Sequence, residues 1–189
     1  FNAFSSPVII LTSVVLSLAG VFLGIVISRN DFVIIMTMIG IISLAGIVVN
    51  NAIVLVDYTN LIRRRKRKEL NLNMEILLSN EEVKAAVIEG GKTRLRPVLL
   101  TAITTILGLF PLASGLNIDF FSLVKEWDPK IFFGGDNVIF FKPMSLAIIY
   151  GLTFATFLTL VVVPTMYYTI YRFKIWLFQK MKWNIKIEL

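Results

Sequence analysis

The sequence predicts an all-α integral membrane protein with four transmembrane helices. Three observations carry this. Of its 189 residues 57% are hydrophobic and only 16% are charged, where a soluble domain carries about 25% charged residues. Mean hydropathy is +0.80. The apolar residues gather into four uncharged runs, Pro7–Ser28, Phe32–Val56, Pro97–Ile118 and Pro143–Tyr171. Each run reaches the ~20 residues that a helix needs to cross a hydrocarbon core. This composition excludes a disordered chain, which needs low hydrophobicity and high net charge. It also argues against a soluble enzyme. The chain has no Cys and no His, which removes disulfides, thiolate sites, His metal ligation and His general-base chemistry.

Helix one is expected over about residues 7–28. It opens on Pro7, which suits a first turn because its missing N–H would be unpaired there. Gly20 and Gly24 form a GxxxG that permits close helix contact. No basic segment precedes this run and it is too long for a signal-peptide core, so it reads as a membrane helix. The first residue is Phe, which fits a fragment or a processed product. Arg29-Asn30-Asp31 makes a tight polar turn into helix two, expected over 32–60. A loop over 61–96 follows and opens with the basic run from Arg63 to Lys68. Within it, Ser79-Asn80-Glu81-Glu82 has capping-box spacing. A short helix from Glu81 to about Glu89 should follow, with Val83, Ala86 and Val87 on one face and Gly90-Gly91 as its stop.

Helix three is expected over 97–116, with Arg94 and Arg96 just before it and Thr101, Thr104 and Thr105 inside it. A loop over 117–142 ends in the turn signal Gly134-Gly135-Asp136. Helix four covers about 143–171, with Gly151 and Ala155 as a second small-xxx-small pair. Pro111 and Pro164 fall inside helices three and four and should kink them. Residues 1–172 thus form a four-helix transmembrane portion. Residues 173–189 form a basic tail that mixes Ile175, Trp176 and Phe178 with Lys180 and Lys182, the pattern of an interfacial amphipathic segment. No internal repeat is visible.

The net charge is +7 and the isoelectric point about 9.8. Its distribution matters more than its size. Fifteen of the 19 lysines and arginines lie in the 61–96 loop and in the tail from Arg172. Only Arg29, Lys125, Lys130 and Lys142 lie on the other side. The positive-inside rule then makes the 61–96 loop and both termini cytoplasmic, and the 117–142 loop periplasmic. Four crossings require termini on one side, so two independent readings agree. The basic run is a topology anchor beside anionic membrane lipid. With no reading module, it is not a nucleic-acid site.

Polar residues inside the spans are the candidate functional residues. Asn50 and Asn51 are adjacent amides deep in helix two, and should face other helices or a water-filled path. Asp57 lies seven residues after Asn50 and shares its face with Val54. Two readings stand side by side: a polar relay, or interhelical hydrogen-bond glue with Asp57 at the membrane boundary. The threonines of helix three can satisfy their hydroxyls on their own backbone. Arg94 and Arg96 can serve simply as charge anchors. The carboxylates Asp119, Glu126, Asp128 and Asp136 sit in one loop with no partner base and no metal-ligand spacing. The chain therefore shows no enzyme constellation, no metal site and no cofactor motif.

Three stretches resemble a known family. They are Gly46-Ile47-Val48-Val49-Asn50-Asn51-Ala52-Ile53-Val54-Leu55-Val56-Asp57; Glu89-Gly90-Gly91-Lys92-Thr93-Arg94-Leu95-Arg96-Pro97-Val98-Leu99-Leu100-Thr101, continuing through Pro111 to Ala113; and Tyr150-Gly151-Leu152-Thr153-Phe154-Ala155-Thr156-Phe157, running to Pro164. In order and spacing the chain, from about Phe4 to Arg172, resembles the last four of the twelve membrane helices of resistance-nodulation-division (RND) efflux transporters, in their AcrB-like hydrophobe-amphiphile branch. The resemblance implies a proton-driven exporter of the bacterial inner membrane that uses the proton gradient and no cofactor. It implies a homotrimer with a periplasmic adaptor and an outer-membrane channel, in which this chain needs an N-terminal half and periplasmic domains. By motif, Asn50 stands where the drug-exporting branch has lysine, Thr101 at the coupling threonine, and Arg94 at the mouth of the cytoplasmic path. Asn51 and Asp57 flank them. Asn50 cannot carry a charge, so any electrostatic switch there is differently built. Without the acidic pair of the other half, this chain alone should not transport. The alternative is a non-transporting membrane interaction or scaffold module, or a split-gene subunit.

Overall fold

A computed structural model describes residues 2–70, 78–118 and 131–180. Four long helices dominate it: α1 (Asn2–Ser28), α2 (Ile34–Glu69), α3 (Asn80–Ser114) and α4 (Asp136–Lys180). Each is long and apolar enough to cross a membrane. Two short strands, β1 (Leu116–Ile118) and β2 (Ile131–Phe133), pair antiparallel with Leu116 opposite Phe133.

Against the expected spans 7–28, 32–60, 97–116 and 143–171, α1 begins earlier, α2 ends later, α3 begins earlier and α4 overruns at both ends. The first part of the expected 173–189 tail thus continues α4. Only the start of α2 and the end of α3 fall short, each by two residues. α2 continues through the basic run to Glu69, and α3 starts at Asn80. Most of the expected 61–96 loop is therefore helical. Hydrophobicity sets which part of a helix crosses a bilayer, whereas Arg and Lys are good helix formers and need no break. The expected stop at Gly90-Gly91 is also overturned. A glycine ends a helix by adopting a left-handed conformation, and positive φ occurs at Gly115, Gly134 and Gly135 but not at Gly90 or Gly91. Gly90 instead admits a neighbour: a Cβ there would lie 2.9 Å from Thr59 Oγ1. The start of α3 is as expected. Ser79 N–H donates to Glu82 Oε2 and Glu82 N–H donates to Ser79 Oγ, both at 3.3 Å, a reciprocal capping box. Helices α3 and α4 pass unbroken through Pro111 and Pro164. The strand pair lies where an irregular loop was expected. Gly134 and Gly135, with φ of 99° and 113°, lead from β2 into α4. Asp119, Glu126 and Asp128 and the tail beyond Lys180 lie outside the described residues.

The chain divides into two compact units. The first comprises Phe1–Val14, Val49–Val98 and Phe157–Leu189. Its buried cluster joins Leu55 and Val56, Val83 and Val87, and Val163, Tyr167 and Tyr171. The second comprises Val15–Val48 and Leu99–Thr156. There the small residues let α1 and α4 approach closely. A Cβ on Gly20 would fall 2.5 Å from Phe154 Cβ, and one on Gly24 would fall 2.3 Å from Tyr150 Cβ. Gly151 sits against Leu44 and Val21 in the same way. Both small-residue pairs thus serve packing, the main source of helix association where lipid removes the hydrophobic driving force.

Candidate functional site

In the first unit, α2 presents two different faces. Residues recurring at three and four positions share one side of a helix. Ala52, Leu55, Val56 and Thr59 are buried, while Asn50, Ile53, Val54 and Asp57 are exposed. Asn50 and Asp57 therefore share a face, as their spacing predicts. That face is exposed, and Asn51 is half-buried. Gly46, which belongs to the second unit, is exposed as well, and a Cβ there would meet nothing within 4 Å. An amide in a membrane span needs a polar partner or water. Among the described residues of this unit, Asn50 and Asp57 are left exposed.

Arg94 belongs to the same unit. Its guanidinium stands 4.3 Å from the centroid of the Tyr58 ring, the geometry of a cation–π contact. Tyr58 follows Asp57 directly, so this contact ties α3 to the charged end of the α2 stripe. Arg94 Nε is buried without a hydrogen-bond partner.

Thr101 lies in the second unit, where it is exposed. Its carbonyl accepts hydrogen bonds from Thr104 Oγ1 at 3.1 Å and Thr105 Oγ1 at 2.8 Å. Those two hydroxyls are thus satisfied locally, as expected. Thr104, Gly108 and Pro111 continue an exposed stripe of small and polar residues from Thr101. Only 11% of the most apolar window of α3 is buried within the chain, against 44% for α4. Of the four apolar windows, that of α3 is the least buried within the chain.

Among the described residues no three His, Cys, Asp or Glu side chains gather as a metal site would need. One cluster escaped sequence reading: Arg63 and Asn60 of α2 meet Tyr167 of α4 through hydrogen bonds. The signal was present as an i, i+3 pair on α2, but its partner lies 104 residues from Arg63.

Comparison with known proteins places the geometry in context. Residues 1–117 match the AcrB/AcrD/AcrF family. The swarming motility protein SwrC of Bacillus subtilis is 35% identical over 92% of this chain, which covers 14% of that protein. The multidrug resistance protein MdtC of Erwinia tasmaniensis is 25% identical over 88% of the chain and 13% of its own length. The crystal structure of a heavy metal efflux pump superposes with a TM-score of 0.61 at 28% identity, over 87% of this chain and 13% of the pump. The chain thus spans a small fraction of the relatives it matches.

Proposed function

Since this chain belongs to the AcrB/AcrD/AcrF family of membrane efflux transporters, we propose that it forms part of the proton-coupling membrane domain of an exporter. The observation that carries this is the outward-facing stripe of Asn50 and Asp57 on a membrane-length helix. Such a stripe costs free energy against lipid and belongs against protein or water. The remainder of the transporter, its N-terminal half and periplasmic domains, supplies that cover and the acidic groups that take up protons. Asn50 there hydrogen-bonds a carboxyl rather than pairing with it as a charge. Arg94, stacked on Tyr58, stands at the entrance of the path, and Thr101 lies further along α3.

The orientation follows from charge. The basic end of α2 and both ends of the chain face the cytoplasm, and the β1–β2 pair faces the outside of the inner membrane. The assembled protein is a homotrimer that works with a periplasmic adaptor and an outer-membrane channel. Its cargo is a lipophilic or drug-like compound; the relatives' names include both multidrug and heavy-metal proteins, so the cargo is read by comparing susceptibility to drugs and to divalent metals. In the complete protein, Thr101→Ala is expected to abolish most export at unchanged expression. Export at the parent level would remove Thr101 from the coupling path.

A further inference from the structure

We propose that the basic end of α2 forms a binding site for the phosphate of an anionic phospholipid headgroup. Asn60, Arg63, Arg64 and Arg67 line a cavity of about 130 Å³. Their spacing of three, four and seven residues places all four on one helix face, so one stripe of α2 lines the cavity with three arginines. Liquid water occupies about 30 Å³ per molecule, so the space holds roughly four waters, room enough for a phosphate group.

The site is held in shape from behind. Arg63 Nη1 donates to Tyr167 Oη at 2.6 Å, and Tyr167 Oη donates in turn to Asn60 Oδ1. The Arg63 guanidinium also lies 4.8 Å from the Tyr171 ring centroid and 5.7 Å from that of Tyr167. Tyr171 is fixed by donating to the carbonyl of Leu78 at 2.8 Å. Two aromatic rings thus orient one arginine, and a pre-oriented guanidinium loses less freedom when it binds a planar or tetrahedral oxyanion.

The charges are unanswered. Among the described residues, no carboxylate forms an ion pair with Arg63, Arg64 or Arg67, and the Nε atoms of Arg63 and Arg67 are buried without partners. A plain topology anchor holds its cations out in water. Here Arg63 and Arg67 are half-buried and Arg63 lies against two aromatic rings, which is costly unless an anion meets these groups. Arginine forks match phosphate oxygens in pairs, and basic pockets at the membrane surface take anionic headgroups. A lipid phosphate and free inorganic phosphate share this chemistry. The site lies at the end of a membrane-length helix, where headgroups are concentrated, which favours the lipid.

The inference rests on the membrane reading and not on proton coupling, so Thr101→Ala should leave it untouched. The test uses the protein expressed from its full reading frame and stripped of lipid in detergent. Native mass spectrometry then counts phosphatidylglycerol and cardiolipin adducts against phosphatidylcholine. The double variant R64Q/R67Q keeps the Arg63–tyrosine bracket and should lower anionic-lipid binding by about tenfold or more. R65Q/K68Q removes the same charge outside the cavity and should change binding less than about twofold. Equal losses in both variants would reduce the effect to unspecific attraction and overturn the site, as would no loss in either. Displacement of the bound lipid by equimolar inorganic phosphate would assign the cavity to the soluble anion and overturn the lipid assignment.

Discussion

At the residue scale, the glycines separate two roles that look alike in sequence. Gly24 and Gly151 are contact glycines, since an added Cβ would press on Tyr150 Cβ at 2.3 Å and on Leu44 Cδ2 at 2.1 Å. Gly46 and Gly108 have nothing within 4 Å of that position. Gly24→Ala should therefore destabilise the chain by about 1–3 kcal/mol through overpacking. Gly46→Ala should leave its stability equal or raise it by up to about 1 kcal/mol, because alanine is the better helix former. Unfolding in mixed detergent micelles, followed by circular dichroism, measures both. If Gly46 faces protein in the complete transporter, Gly46→Ala should nonetheless impair export. Equal destabilisation by the two substitutions would show that Gly46 is already covered within this chain. Asn50 shows the limit of reading at this scale: its face was legible from spacing to Asp57, but not what covers it.

At the element scale, the capping box at Ser79 was legible because it is local. Both of its hydrogen bonds link residues three apart. Ser79→Ala should cost about 1 kcal/mol, read as faster hydrogen exchange in the first turn of α3 with the rest of the helix unchanged. No change in that turn would mean that tertiary packing of Val83, which is fully buried, holds the end alone. The lengths of the helices were less legible. The apolar runs located the membrane-crossing parts, and the capping box announced the helix from Glu81 to Glu89, but Arg63 to Glu69 and Gly90 to Arg96 are helical with no signal to announce them. Gly90-Gly91 looked like a stop because glycine can take the left-handed conformation. In this helix Gly90 is used for its lack of a side chain instead, against Thr59. The β1–β2 pair gave no signal beyond Gly134-Gly135, since three-residue strands are too short for an alternating pattern to show.

At the scale of the whole molecule, the charge asymmetry makes a topological prediction. The chain contains no native cysteine, so single-cysteine variants report without background. Lys68→Cys, at the basic end of α2, should react with a membrane-impermeant maleimide only in inside-out vesicles. Asn137→Cys, at the start of α4, should react in intact spheroplasts. Labelling of both from the same side would overturn the four-span topology. The inverse pattern would keep four spans and reverse the orientation.

Composition and periodicity were enough to read the membrane class, the four spans, the sidedness expected from charge, and which residues share a helix face. These depend on composition and on a period of 3.6 residues, both local properties of the chain. Which faces are covered was settled by packing. It turned Asn50 and Asp57 outward, seated Arg94 on Tyr58, and pressed Gly24 against Tyr150. It also set Arg63 between Tyr167 and Tyr171, about a hundred residues away in the chain. The reason is physical. A helix fixes the direction of each side chain relative to its own axis, whereas its rotation about that axis is set by the neighbours it packs against.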